Sequence, residues 1–241
     1  MKNKFIFTRY KKLFYALTIV TITFSACKKV PATPSSSTSS GLMIFNLIPE
    51  NSLSVAFAFS NVSLTNTPLP FPNYSGSYLS IPSGTEQLGL YKANSDSLLQ
   101  ATNFVFESSK YYTAFALGAN GNYINMITDD HLDSLPTNTG NAFVRYINAI
   151  PDSSKPMVTI SSNGNNIVNA ATPFTTVSNF IGIAPGNISV NMNNGSDISS
   201  SRTISLGAND VYTILLTGIP NTTDTTTAVQ IRYIQNGSIN P

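Results

Sequence analysis

A strand-and-turn motif occurs twice in this chain, and it constrains the fold more than any other feature. Residues 46–52 (NLIPENS) recur as residues 148–154 (NAIPDSS), and each copy closes one apolar run and precedes the next. The two prolines, Pro49 and Pro151, are 151 − 49 = 102 residues apart. Because proline lacks a backbone donor and fixes φ, we expect it where a strand leaves its sheet. The acidic residue that follows can accept hydrogen bonds from backbone amides in the turn.

Two further matches occur in the same order, which indicates a duplicated domain. Residues 81–84 (IPSG) match residues 183–186 (IAPG) with the same offset of 186 − 84 = 102. Tyr112 and Tyr212 begin similar apolar runs that are 212 − 112 = 100 residues apart. A period of about a hundred residues is a whole domain rather than a solenoid unit. A tyrosine after a polar turn is typical of the tyrosine corner of immunoglobulin-like sandwiches, whose hydroxyl bonds to nearby backbone.

Short apolar runs alternate with turns from residue 41 onward, and this pattern predicts an all-β fold. Residues 53–59 (LSVAFAF) place apolar side chains at every second position, which is the period of a strand. Asn120-Gly121 and Asn163-Gly164 are hairpin signals. The sequence therefore predicts two tandem immunoglobulin-like β-sandwich domains, residues 41–138 and 139–241, that follow a lipoprotein signal peptide and a flexible tether.

The N-terminal segment predicts export and attachment to a lipid. Basic residues precede an apolar run at residues 13–24, which is shorter than the ~20 residues of a membrane-spanning helix. Residues 24–27 (FSAC) resemble the lipobox of a bacterial lipoprotein, and the resemblance implies cleavage before Cys27 and acylation of its thiol. Residues 1–26 would then be the signal peptide, and residues 27–40 a disordered tether rich in Ser, Thr and Pro. The alternative is an ordinary secretory signal followed by a chance cysteine.

Removal of this signal peptide changes the charge of the protein. The whole chain has a formal net charge of +2, but the mature part keeps 13 − 5 = 8 basic residues against 11 acidic ones, a net charge near −3. Such a balance argues against nucleic acid as a partner. The lone cysteine can form no internal disulfide, so the folded part must be held by its cores. We expect an outer-membrane lipoprotein of the cell envelope, with the periplasmic and the surface orientation both open.

The second copy of the motif carries a family resemblance. Residues 145–152 (RYINAIPD) resemble the signature of domain-of-unknown-function family 4397, whereas the first copy, residues 44–50 (IFNLIPE), lacks the arginine. The resemblance covers both repeats, residues 41–241. It implies tandem β-sandwiches in exported, often lipid-anchored proteins, and it offers no catalytic residues to carry over.

Residues suited to catalysis are few, and their pattern argues against an enzyme. The one histidine, His131, stands within residues 129–133 (DDHLD), which lack the spacing of a calcium loop, and we interpret residues 128–141 as a solvated linker. One histidine and one acylated cysteine exclude a zinc site and Cys–His catalysis. We predict no cofactor and no metal. Arg145 and Asp152 are interpreted as a structural pair or a backbone cap near the domain junction.

Aromatic residues supply the predicted ligand patch. Phe71, Tyr74 and Tyr78 flank Gly76 in a Pro-rich loop and could form an exposed surface. We therefore predict a non-catalytic binding or structural protein, active in adhesion or in glycan or protein binding, whose partners are the membrane, through Cys27, and a glycan or envelope protein. The alternative is a carbohydrate-active hydrolase, or an accessory subunit of an envelope polysaccharide-processing complex, with two carboxylates ~5–10 Å apart at a cleft. The oligomeric state stays open.

Overall fold

Both copies of the repeat fold into the same series of strands. The structure is a computed structural model that describes residues 38–95 and 97–239. The predicted signal peptide, Cys27 and the tether up to residue 37 lie outside the described residues. The first copy contains β1 (Ser39–Asn46), β2 (Val55–Phe59), β3 (Val62–Ser63), β4 (Leu79–Pro82), β5 (Gly84–Lys92), β6 (Leu98–Phe106), β7 (Tyr111–Ala119) and β8 (Asn122–Asp129). The second contains β9 (Ala142–Asn148), β10 (Met157–Ser162), β11 (Asn165–Ala171), β12 (Ile181–Ile183), β13 (Gly186–Asn193), β14 (Ser199–Leu206), β15 (Asp210–Thr217) and β16 (Gln230–Ser238).

Each copy forms a sandwich of two sheets. In the first sandwich the strand orders are β3-β2-β5-β6 and β4-β1-β7-β8. The second sandwich repeats both orders strand for strand, as β11-β10-β13-β14 and β12-β9-β15-β16. The parallel pairing of β1 with β7 recurs as the parallel pairing of β9 with β15. The predicted all-β fold with two tandem sandwiches is therefore confirmed, and its immunoglobulin-like assignment stays a prediction.

The two sandwiches share a buried interface and belong to the same compact unit of the chain. The sheets that contain β1 and β9, here called the inner sheets, pack against each other. Their contact is an apolar cluster of Met43, Phe45, Leu47, Phe115, Leu117, Ile147, Ala149 and Leu215. The other two sheets, here called the outer sheets, cover the far sides of the two separate cores. The folded part is therefore a stack of four sheets.

Strand β1 shows how the sequence specifies this stacking. Leu42 and Ile44 pack in the core of the first sandwich, whereas Met43 and Phe45 pack in the interface. None of the four is exposed to solvent. Because successive side chains of a strand point to opposite faces, a strand that is covered on both faces requires an unbroken apolar run. Strand β15 repeats this pattern in the second sandwich.

The predicted tyrosine corners are present in both sandwiches. The backbone N–H of Glu107 donates to the hydroxyl of Tyr112 at 2.8 Å, and that of Gly207 donates to the hydroxyl of Tyr212 at 3.0 Å. Burial raises the pKa of both tyrosines above the usual value. Each hydroxyl ties the beginning of a central strand to the turn before it, so the structural interpretation of these tyrosines is confirmed.

The predicted hairpin turns also form. Asn120 and Gly121 have φ of 54° and 84°, and Asn163 and Gly164 have φ of 49° and 78°. These positive values at both central residues are those of type I′ turns, which Asn-Gly favours. Strand β11 was not predicted from the pattern, because its sequence (NNIVNAA) is polar and mostly exposed. Strand β1 begins at Ser39, within the predicted tether.

Candidate functional site

Arg145 in β9 and Asp130, just after β8, join the two sandwiches through a buried ion pair. Arg145 Nη1 donates to Asp130 Oδ1 at 2.5 Å, and the two side chains are 2% and 0% exposed. Arg145 Nε donates to Thr213 Oγ1 at 3.0 Å, and Nη2 donates to Thr113 Oγ1 at 2.8 Å. Thr113 in turn donates to Asp130 Oδ2 at 2.7 Å. Groups from both sandwiches therefore hold the guanidinium in place.

Tyr78 contributes a third donor to the same carboxylate. Its hydroxyl donates to Asp130 Oδ2 at 2.6 Å. Burial raises the pKa of Tyr78, and the negative charge of Asp130 raises it further, so the hydroxyl stays protonated and keeps donating. A buried carboxylate with this many donors is well satisfied. The interpretation of Asp130 as a solvated linker residue is therefore wrong. Arg145 pairs with Asp130 rather than with Asp152, so the predicted pair is also wrong, whereas the predicted alternative, a backbone cap, holds for Asp152.

The equivalent place on the other side of the interface holds an uncharged pair. Met43 occupies in β1 the position that Arg145 occupies in β9, since 145 − 43 = 102. Asn236 Nδ2 lies 3.7 Å from Met43 Sδ across the interface. Thr213 Oγ1 donates to Asn236 Oδ1 at 2.7 Å, which repeats the threonine–acid contact of the first copy. The interface is therefore pseudo-symmetric, with an Arg–Asp pair on one side and a Met–Asn pair on the other.

A surface pocket of about 350 Å³ lies beside the ion pair. The ring of Phe180 covers the guanidinium of Arg145, with 4.6 Å between the ring centroid and the guanidinium carbon. His131 lies at the pocket wall with its side chain 63% exposed, and its backbone N–H donates to Asp129 Oδ1 at 2.8 Å. Over residues 38–95 and 97–239, no group of three or more His, Cys, Asp or Glu side chains is placed to hold a metal. Asp130 and Arg145, which line this pocket, already bind each other.

The residues of the predicted ligand patch lie at the edge of the interface. Phe71, Tyr74 and Tyr78 are all half-buried. Tyr74 stacks on the buried ring of Phe45 with centroids 5.2 Å apart, and Tyr78 packs edge-to-face on Tyr111 at 5.0 Å. Tyr74 and Tyr78 therefore support the packing of the two sandwiches. A ligand role for the three residues stays a prediction, with less free surface than the sequence suggested.

The repeated motif has the same structural role in both copies. Asn46 Nδ2 donates to the carbonyl of Leu69 at 2.9 Å, and its Oδ1 accepts from the N–H of Ile48 at 3.0 Å. Asn148 Oδ1 accepts from the N–H of Ile150 at 3.1 Å, and its amide also donates to a backbone carbonyl, at 2.8 Å. Each asparagine thus satisfies backbone groups where a buried strand turns away from its sheet.

The acidic residue after each proline accepts a backbone amide, as predicted. Glu50 Oε1 accepts from the N–H of Asn120 at 2.7 Å and therefore anchors the hairpin between β7 and β8. Asp152 Oδ1 accepts from the N–H of Ser154 at 2.6 Å within its own turn. The two acids thus stabilise different turns, although they occupy equivalent positions.

The outer sheet of the first sandwich carries an open groove that sequence reasoning missed. This Tyr91 groove has a volume of about 630 Å³. Ala56 and Ala58 line it, and Gly89 lies beside them in the paired strand. The ring of Tyr91 lies across Gly89, where an added Cβ would be 2.4 Å from the ring. The remaining lining residues are Asn61, Ser63, Lys92, Asn94, Ser95 and Leu98.

The second sandwich has larger side chains at three of the four equivalent positions and an asparagine in place of the tyrosine. The cross-strand pairs Ala56–Tyr91 and Ala58–Gly89 correspond in register to Met157–Asn193 and Thr159–Asn191. The residue that corresponds to Gly89 is therefore Asn191, whose Nδ2 donates to Ser189 Oγ at 3.3 Å. The side chains at these four positions thus differ between two otherwise matching sheets.

Two segments of the chain, residues 40–155 and residues 142–232, match the family described as Domain of unknown function (DUF4397). The chain belongs to this family. The two matches cover the two sandwiches of this DUF4397 protein, and the suspected tandem arrangement is confirmed. A solved structure described as "Alpha-glucan binding by a streptococcal virulence factor" is 13% identical over 69% of this chain and 88% of that chain, with a TM-score of 0.22. No curated protein matches the DUF4397 chain.

Helices contribute little to the part of the DUF4397 chain that the structure describes. A 3₁₀ helix, Leu132–Ser134, lies between the two sandwiches. No helix in the described ranges is long and apolar enough to cross a membrane.

Proposed function

We propose that this DUF4397 protein is a lipid-anchored, non-catalytic binding protein of the cell envelope. The basic and apolar N-terminal segment and residues 24–27 (FSAC) support export and acylation of Cys27. Residues 28–38, rich in Ser, Thr and Pro, would separate the folded part from the outer membrane. The membrane is then one partner, and the ligand of the folded part is the other.

The Tyr91 groove is the observation that carries the binding role. Its floor lies on the paired strands β2 and β5, and the turns that follow these strands add Asn61, Asn94 and Ser95. The sandwich beneath it is locked to its neighbour by the buried pair of Arg145 and Asp130. A site on rigid elements loses little conformational entropy when a ligand binds. The two sandwiches share a topology but differ in the side chains at these positions, which is the pattern expected when one copy of a duplicated domain binds and the other supports it.

The binding role is tested by photo-crosslinking in intact cells. A photoreactive phenylalanine analogue replaces Asn94 at the groove, and in a control variant it replaces Asn165 in β11 of the second sandwich. We expect a covalent adduct from position 94 and none from position 165. Adducts of equal yield from both positions, or none from either, would exclude the groove as a binding site.

The anchor and the rival activity have their own measurements. Cys27→Ser is expected to move the protein from the membrane fraction to the soluble fraction, and an unchanged distribution would contradict lipid attachment.

A hydrolase would release new reducing ends from a polysaccharide that it contacts. We expect no release by the purified wild type, and release that depends on an acidic side chain would replace the binding role by catalysis.

A further inference from the structure

We infer that the Tyr91 groove binds a neutral polysaccharide chain. This inference rests on the binding role proposed above and names the chemical class of its ligand. It is carried by the shape of the groove, by the placement of one aromatic ring and by the polar groups around it.

The shape of the groove suits a chain rather than a compact ligand. Ligand sites in proteins have volumes of about 300–1,000 Å³, and the 630 Å³ of the Tyr91 groove lies within that range. The groove is open to solvent along the sheet, and the small side chains of Ala56 and Ala58 keep its floor low. An open groove of this size can therefore hold a few units of a linear polymer.

The ring of Tyr91 is placed to contact a sugar face. Because Gly89 has no side chain, the ring of Tyr91 can lie over it, 2.4 Å from where a Cβ would stand, and the residue stays partly exposed. The hydroxyl of Tyr91 donates to Asn61 Oδ1 at 3.1 Å, which fixes the orientation of the ring. The face of an aromatic ring carries partial negative charge and attracts the partially positive C–H groups on the apolar side of a pyranose. A flat, immobilised ring of this kind binds a sugar at a low cost in entropy.

The polar side chains around the ring match the rest of a sugar. Asn61, Asn94, Ser63 and Ser95 line the groove with neutral groups that both donate and accept hydrogen bonds, as sugar hydroxyls do. Among the lining residues that the structure describes, Lys92 is the charged one. A polyanion would favour a cluster of cations, so the lining favours a neutral polymer.

A protein ligand fits this lining less well. Specific protein interfaces bury about 800 Å² on each partner around a core of apolar anchors. In the groove, the exposed apolar residue is Leu98, at 52% exposure, and it lies among amides and hydroxyls. The chemistry therefore favours a sugar polymer over a protein, and a protein adduct becomes one outcome of the test.

The experiment is affinity electrophoresis of the full mature protein in native gels that contain single polysaccharides. The panel comprises an α-glucan, a β-glucan, a mannan and one anionic polysaccharide. The variants are Tyr91→Ala, Tyr91→Phe and Gly89→Asn, which places the residue of the second sandwich under the ring. Asn193→Ala, at the position in the second sandwich that corresponds to Tyr91, is the matched control. Unchanged thermal unfolding shows that each variant is folded.

We expect at least one neutral polysaccharide to retard the wild type, Asn193→Ala and Tyr91→Phe. Tyr91→Ala and Gly89→Asn are expected to weaken the retardation at least tenfold. Retardation by none of the neutral polymers, by the anionic polymer alone, or equally for the wild type and Tyr91→Ala would overturn the inference. The binding role would survive such a result if position 94 still gave a specific adduct, and a protease-sensitive adduct would assign the groove to a protein.

Discussion

The guanidinium of Arg145 and the carboxylate of Asp130 meet at 2.5 Å across the interface, and each belongs to a different copy of the repeat. The equivalent contact on the other side joins Met43 to Asn236 at 3.7 Å. The same surface of each sandwich is thus used twice, as in a homodimer whose two subunits meet through one self-complementary patch. Because both copies lie within one chain, the two equivalent contacts could differ: one is an Arg–Asp pair and the other a Met–Asn pair.

The Met43–Asn236 contact indicates which second substitution should restore the stability that is lost when the Arg145–Asp130 ion pair is removed. Arg145→Met leaves the carboxylate of Asp130 buried without its cation, and the expected loss of stability is about 3–5 kcal/mol. Adding Asp130→Asn creates a second Met–Asn pair and should recover most of that loss, because no uncompensated charge stays buried. Urea unfolding of the mature protein, followed by circular dichroism, measures both variants. Equal unfolding midpoints for the single and double variants would contradict this account.

The reverse exchange is the complementary prediction. Met43→Arg alone buries a cation opposite a neutral amide, so we expect it to destabilise the protein strongly. Adding Asn236→Asp supplies the missing charge, and the two substitutions should show a favourable coupling of about 2 kcal/mol in a double-mutant cycle. The measurement is the same urea titration for the wild type, both single variants and the double variant. Purely additive effects would mean that the two sides of the interface are not equivalent.

The ionisation of Tyr78 gives a test at high pH. Its folded-state pKa lies above the value of about 10 for a free tyrosine, so the folded protein retains a proton that the unfolded chain loses. The protonated hydroxyl of Tyr78 therefore stabilises the fold fully below about pH 10, and this stabilisation falls as the pH rises further. Tyr78→Phe should be less stable than the wild type at pH 7, by about 1–2 kcal/mol, because Asp130 loses a donor. The difference in stability between the wild type and Tyr78→Phe should become smaller toward about pH 11.

A matched control separates this titration from the loss of a hydrogen bond. Thr113→Val also removes a donor from Asp130, through the 2.7 Å contact of its hydroxyl, but introduces no change in a titrating group. Its deficit in stability should therefore be the same at pH 7 and at high pH. Urea midpoints of the three proteins across this range provide the comparison. A Tyr78→Phe deficit that is as constant as that of Thr113→Val would refute the role assigned to the ionisation.

The sequence predicted the repeated architecture because its signals are local. Proline turns, Asn-Gly hairpins and tyrosines after turns each depend on a few neighbouring residues. The interface was not predicted, because no local pattern says what covers the second face of a strand. The available signal was the unbroken apolar run at residues 42–45, in which both alternating faces are apolar. With that signal, Arg145 in the matching strand would have been expected in a buried position that needs a partner.

The Tyr91 groove escaped the sequence for a different reason. Residues 53–59 were interpreted through their large side chains, which form the core, whereas the groove depends on the small ones between them, Ala56 and Ala58. The aromatic residues of a Pro-rich loop gave the predicted ligand patch instead, although Tyr74 packs on Phe45. Which aromatic rings are free is decided by packing between segments distant in sequence, and composition does not reveal it.

The repeated asparagine supports the last prediction, in which each copy serves as the control of the other. Asn46 and Asn148 are 0% and 1% exposed, and each both accepts from and donates to buried backbone groups. Alanine at either position leaves those groups unpaired, so Asn46→Ala and Asn148→Ala should each destabilise the protein by about 2–3 kcal/mol. For a chain of this size the loss corresponds to a fall in Tm of roughly 5–10 °C. The exposed Asn165→Ala should change Tm by less than about 2 °C. Differential scanning calorimetry measures all three, and a large effect in only one copy would show that the motif has lost its role in the other.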